Sequence, residues 1–123
     1  MSTRSSISIE MGNKIYSIYC HNDGYISHNG EILTTHYSDR RDVNRLINLG
    51  DLSSLNETID TCVAYMRDRG ESDCEADEGV MSESLADYQY NYLYTNDDVW
   101  ECFDCHGEMI SLKSISDRRN DFT

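Results

Sequence analysis

Apolar and polar positions alternate at period two over residues 5–11, where Ile7, Ile9 and Met11 share one side, and resume over 14–21 around Ile15, Tyr16, Ile18 and Tyr19. Gly12-Asn13 stands between these runs as a two-residue turn signal, so the N-terminus predicts a β-hairpin. After a loop over 22–30, Ile32, Leu33, His36 and Tyr37 recur at helical spacing, with His36 on the apolar side as a half-buried residue. A second helix is predicted next. Ser38 or Asp39 caps it, Val43, Leu46 and Ile47 form its apolar stripe, and Gly50 sits where a left-handed terminator is wanted. Residues 51–60 read as a turn or short helix and 61–66 as a third strand. Residues 67–79 have no periodicity and no large apolar side chain, which predicts a solvated acidic loop. Ser82 caps a predicted short helix reaching Asp87, after which Tyr88, Tyr90, Tyr92 and Tyr94 alternate with other residues as in a strand. Asn96-Asp97-Asp98 and His106-Gly107 then turn the chain into strands over 99–104 and 109–112.

This order of elements predicts one α+β domain over 1–112, an antiparallel sheet of about four to six strands with two to three short helices on one face. The hairpin and the C-terminal meander supply the strands. Residues 113–123 read as a polar, frayed tail.

Composition makes the core thin. Of 123 residues, Leu, Ile, Val and Phe number only 24, and nine Tyr, five Met and one Trp must supply the missing bulk. Proline is absent, so turns rely on Gly, Asn and Asp. No apolar run is long enough to cross a membrane.

Charge separates the chain into two parts. Ten Lys and Arg stand against 23 Asp and Glu, a net charge of −13, yet residues 1–50 are neutral. Twelve acids and no Lys or Arg lie between Glu71 and Glu108. Such a surface repels nucleic acid and anionic lipid, because binding phosphate depends on cations that displace counterions. It attracts basic proteins, including those whose usual ligand is a nucleic acid backbone. The acids expected on this surface are Glu71, Asp73, Glu75, Asp77, Glu78, Glu83, Asp87, Asp97 and Asp98. Their spacing does not match a calcium loop, since counting from Asp73 the required glycine arrives one position late.

Other clusters have plain alternatives. Cys102-Phe103-Asp104-Cys105-His106 contains a C-x-x-C, but no second pair exists, and the two cysteines are read as flanking a tight turn; no metal and no cofactor are expected. His21, Asp23, His28 and His36 lie close enough in sequence for acid–base work, but they match no ligand spacing, and Asn22-Asp23-Gly24 is itself a turn tripeptide. With Tyr25, these residues could line a cleft where Arg67 and Arg69 hold an anionic ligand. The tyrosine strand is read as core, or, if its face is open, as an aromatic surface suited to Arg-rich partners. Motifs for phosphate loops and serine nucleophiles are missing. Cys20, Cys62, Cys74, Cys102 and Cys105 are an odd number, and MSTRSSISIE lacks a secretory apolar run, so a reducing cytoplasm is expected.

The residues Tyr19-Cys20-His21-Asn22-Asp23-Gly24-Tyr25, then Asn29-Gly30, Ile32-Leu33 and His36-Tyr37, resemble a group of small proteins of tailed bacteriophages and prophages. The likeness continues through Leu46-Ile47, the run Leu49-Gly50-Asp51-Leu52-Ser53-Ser54-Leu55, Val63-Ala64-Tyr65 and Arg67-Asp68-Arg69-Gly70-Glu71, and returns weakly at 87–94 and Trp100. Met66 stands where that group has histidine, and the Cys102/Cys105 pair departs from its pattern. The resemblance implies a phage accessory protein in the cytoplasm of an infected bacterium, and no particular activity. The expectation is a protein that binds and blocks a basic host or anti-phage defence protein through an acidic surface imitating a nucleic acid backbone. Direct nucleic-acid and membrane binding are not expected, and a homodimer stays open. The alternative is a binder of a nucleotide signal, or an enzyme, using the 21–36 segment.

Overall fold

The predicted hairpin forms as β1 (Ser5–Met11) and β2 (Lys14–Cys20), paired antiparallel from Ser5↔Cys20 to Met11↔Lys14. Gly12 takes φ +66° while Asn13 stays at negative φ, the arrangement of a tight turn with glycine first. The computed structural model describes residues 3–80 and 87–112. The predicted helices form as α1 (Glu31–His36), preceded by a π-turn at Ile26–Gly30, and α2 (Arg40–Asn48). The Asp39 carboxylate caps α2 by accepting from the Arg41 amide at 2.7 Å, and Gly50 ends it at φ +78°. Then come β3 (Leu52–Ser54), a 3-10 turn at Ile59–Thr61, β4 (Val63–Ala64), α3 (Tyr65–Arg69), β5 (Asp77–Val80), β6 (Tyr90–Tyr94), β7 (Trp100–Phe103) and β8 (Met109–Ile110).

The fold is α+β, but the sheet departs from the antiparallel one of four to six strands that the sequence predicts. Among the described residues it has eight strands and is mixed, in the order β4-β3-β2-β1-β6-β7-β8, with β5 paired to β2 over Lys14–Ser17. β1 runs parallel to β6 from Ser5↔Tyr90 to Ile9↔Tyr94, and β2 runs parallel to β3 at Cys20↔Leu52. Parallel neighbours need a long crossover, and the segment carrying α1 and α2 provides it between β2 and β3. Local periodicity carries no information about strand direction across such separations, and β3, β4 and β5 are too short to show a period.

One sheet face makes the core. Ile7, Ile9, Ile18, Tyr92, Tyr94 and Cys102 meet Leu33, Tyr37, Val43, Leu46 and Ile47 of the α1–α2 layer, all buried. Full burial of such a side chain stabilises by roughly 1.5–3 kcal/mol. The tyrosines compensate the shortage of aliphatic residues, and their hydroxyls fasten loops to this core. Tyr92 donates to the Gly24 carbonyl at 2.7 Å, Tyr37 to the Asn56 carbonyl at 2.9 Å and Tyr94 to the Ser38 carbonyl at 3.1 Å. The opposite face is serine-rich because β1 alternates Ser6 and Ser8 with Ile7 and Ile9. Ser6 donates to the Asn91 side chain at 2.9 Å, and Ser8 shares a hydrogen bond with Ser17 at 2.7 Å.

The acidic stretch 67–79 is not one solvated loop. It begins inside α3, where the Asp68 carboxylate accepts from the Ala64 amide at 2.8 Å, and it ends inside β5. Midway, the Asp51 amide donates to the Cys74 carbonyl at 2.7 Å and clamps the segment to the turn after α2. The strand predicted over 61–66 shrinks to β4 for the same reason: α3 takes over at Tyr65. The helix predicted from Ser82 lies outside the described residues up to Ala86, as do Glu83 and the tail 113–123.

Candidate functional site

The histidine-rich segment is brought together only in part. A cleft of about 470 Å³ opens between the α1 layer and the 56–61 loop, lined by His28, Glu31, His36 and Glu57 among others. His28 is half-buried and its Nδ1 shares a hydrogen bond with the Asn29 side chain at 2.9 Å. His36 is exposed rather than half-buried, because α1 turns that side outward and gives the core position to Tyr37. His21 lies elsewhere, at the end of β2, its Nδ1 2.5 Å from the Tyr19 hydroxyl. Asp23 sits at φ +57° in the loop, and Tyr25 donates to its carboxylate at 3.4 Å while its ring meets the His28 ring edge-on at 6.0 Å.

Neither arginine reaches the His28–His36 cleft. Arg67 donates to the Ile59 and Cys62 carbonyls at 2.9 and 2.6 Å and pairs with Asp68 at 2.9 Å. Arg69 lies 5.1 Å over the Tyr65 ring and contacts the Ser53 hydroxyl. Both guanidiniums are occupied in holding the 53–65 region to α3.

The residues between Tyr19 and Gly30 act as a loop-fastening device. Asn29 is fully buried, and its amide donates to the Ser5 hydroxyl, the Cys20 sulfur and the Asn22 carbonyl at 3.3–3.5 Å. The Gly24 amide donates to the Thr3 carbonyl at 2.7 Å, and a Cβ on Gly24 would collide with Ser5 and the Thr3 carbonyl. These positions are fixed by packing against the start of β1.

A second cleft, about 430 Å³, was not legible in the sequence. It lies beside the serine-rich face and is lined by Arg4, Ser6, Ser17, Tyr19, Asp51, Asp77, Asp87 and Tyr88. Its members are spread along the sequence from Arg4 to Tyr88, and Tyr88 carried only a strand signal. The Tyr19 and Tyr88 rings lie 5.4 Å apart, tilted by 45°. The Tyr19 amide donates to the Asp51 carboxylate at 2.9 Å. Burial pushes the Asp51 carboxyl above its usual range, the Tyr19 amide opposes this, and the neighbouring charges of Asp77 and Glu75 add to the rise.

The remaining acids spread over two places. Glu71, Asp73, Glu75, Asp77 and Glu78 run from the end of α3 into β5 and are exposed. Asp97 and Asp98 form the β6–β7 turn, which the Asn96 side chain ties to Gly12 of the β1–β2 turn. Glu78 pairs with Lys14 at 2.8 Å and also accepts from the Tyr16 hydroxyl; Asp98 pairs with Arg40 at 2.8 Å.

Three of the five thiols are held in the protonated form. Burial pushes the Cys20 thiol up to about 11 and the Cys102 thiol up to about 12, and burial together with nearby acids raises Cys74, so these sulfurs stay protonated. Cys102 is buried in β7 while Cys105 is exposed on the turn into β8, where the Asp104 carboxylate accepts from the His106 and Glu108 amides. Among the described residues no group of three or more His, Cys, Asp or Glu gathers as a metal site, and no helix is long and apolar enough to cross a membrane. Comparison of the chain with protein-family models, curated proteins and solved structures finds no match.

Proposed function

We propose that this protein is a binding module whose acidic surface engages a basic protein. In the setting implied by the resemblance to phage proteins, that partner is a host or defence protein, and binding blocks it. One observation carries the reading: of the acids described between Glu71 and Glu108, only Glu78 and Asp98 have a basic side chain within ion-pair distance among the described residues. Glu71, Asp73, Glu75, Asp77, Asp87, Asp97 and Glu108 are exposed and keep their charge available to a partner. The clamp at Cys74 supports the reading further, because a pre-shaped segment loses less freedom on binding than a free loop does. Imitation of a nucleic acid backbone is the sharper form of the proposal.

The test is affinity capture from host lysate at low and high salt, followed by an activity assay of the purified partner. A basic protein bound in fixed stoichiometry, released by salt, inhibited on binding and displaced by DNA is the expected result. Binding that is indifferent to salt and to Glu71→Gln/Asp73→Asn/Glu75→Gln refutes the charge-driven reading. A second reading keeps one specific observation: His28 and His36 share a cleft within the size range of small-molecule sites. Native mass spectrometry of the purified protein tests it, since a nucleotide retained by the wild type and lost in His28→Ala/His36→Ala places the function there.

A further inference from the structure

The cleft beside Tyr19 and Tyr88 combines two features. It has aromatic walls, and it gathers carboxylates from three separate segments, Asp51 after α2, Asp77 at the start of β5 and Asp87 before β6. The charges feel one another: Asp51 is pushed up in part by Asp77, and Tyr88 by Asp87, Asp51 and Asp77 after the larger effect of burial, while Arg4 opposes the rise at both Tyr88 and Tyr19. Among the described residues Arg4 is the one cation lining the cleft, and it joins no ion pair there. The cleft therefore keeps a net negative charge next to two π-faces. A planar cation satisfies both demands, stacking on a phenol ring while its N–H groups bond carboxylates.

We propose that this cleft receives an arginine side chain of the basic partner, its guanidinium lying against Tyr19 and Tyr88 and bonding Asp77 and Asp87. The assignment rests on the acidic-surface reading above and gives that surface its anchor. Guanidinium suits the site better than ammonium because the fork geometry bonds two carboxylates at once and the flat face stacks. Asp51 takes a supporting part: held by the Tyr19 amide, it fixes the ring wall and adds negative potential. Arg4 is a like charge at the same site, and the arriving side chain must push it outward.

That last point gives a test with opposite signs. Acetyl-Gly-Arg-Gly-amide, and the same peptide with neutral citrulline in place of arginine, are titrated into the full chain while backbone amide NMR shifts of Tyr19, Asp51 and Tyr88 are followed. The arginine peptide shifts these amides saturably and the citrulline peptide does not. Asp77→Asn/Asp87→Asn weakens the peptide about tenfold, whereas Arg4→Gln tightens it about threefold. Asp77 and Asp87 are exposed and make no side-chain hydrogen bond among the described residues, so the variant keeps the fold, which its circular dichroism verifies. Equal response to citrulline, no response at these amides, or weakening by Arg4→Gln overturns the assignment. The two proposals fail separately. A partner captured by salt-sensitive contacts but indifferent to Asp77→Asn/Asp87→Asn overturns the anchor and leaves the acidic surface. Peptide binding as expected with no basic partner captured upholds the guanidinium site and refutes the inhibitor reading.

Discussion

Two glycines at nearly the same backbone angle have very different surroundings. Gly12, at φ +66°, has open space where a Cβ would go, while at Gly50, at φ +78°, a Cβ would run into the Cys74 carbonyl and the Met66 methyl. Gly12→Ala is expected to cost about 1 kcal/mol, the strain of the left-handed region alone. Gly50→Ala adds a collision with backbone and is expected to cost more than about 3 kcal/mol, with partial release of the acidic segment. Urea unfolding of the two variants separates strain from collision, and equal losses would show that the 74 clamp yields freely. Asp51, the next residue, gives a pH signature. Its folded carboxyl is raised, so the folded state binds more protons than the unfolded state between the unfolded value and the folded one. Its contribution to stability thus falls as pH rises through that window. Asp51→Asn keeps an acceptor for the Tyr19 amide and removes the charge, so its melting temperature is expected to exceed the wild type's at pH 7 and to converge with it near pH 3. A variant melting below wild type at neutral pH would mean that the carboxylate's attraction to the Tyr19 amide outweighs its repulsions.

At the level of elements, β1 is the strand on which the sheet depends, hydrogen-bonded to β2 along one edge and β6 along the other. Its Ile7 and Ile9 amides are expected to be among the slowest in hydrogen exchange, and those of β8 and β4 at the sheet ends among the fastest. Rapid exchange in β1 would contradict the mixed topology. Elements whose signals are local were legible in the sequence: the Gly12-Asn13 hairpin, the Asp39 cap, Gly50 as terminator, and the turns at 96–98 and 106–107. The parallel pairings were not, because nothing in residues 5–11 encodes a partner at 90–94. The candidate sites divide in the same way. His28 and His36 are eight positions apart and their meeting could be anticipated, whereas Arg4, Asp51 and Tyr88 meet only once the sheet has closed. The arginines at 67 and 69 misled for a related reason: a cation in sequence looks available for a ligand until its partners are found, backbone carbonyls and Asp68 for Arg67, the Tyr65 ring and the Ser53 hydroxyl for Arg69.

Across the whole molecule, a net charge of −13 sets two opposed responses to salt. Crowded carboxylates repel within the folded state, so raising NaCl from about 0.05 to 0.5 M should raise the melting temperature by a few degrees, because the Debye length falls below the spacing of most surface charges. The same change should weaken capture of a basic partner. Scanning fluorimetry beside a salt series of binding measurements tests the pair, and the two curves moving in the same direction would count against charge as the basis of binding. The strand order has a further consequence for synthesis. A ribosome releases β1 long before β6, with β2 to β5 and α1 to α3 made between them, so the middle of the sheet stays open along one edge throughout that interval. Sequence-distant contacts of this kind slow folding and prolong the exposure of unpaired strands. The abundance of acids emerging just before β6 then gives the nascent chain a repulsive charge against its neighbours on the same message, during the interval when an open strand edge would otherwise invite them.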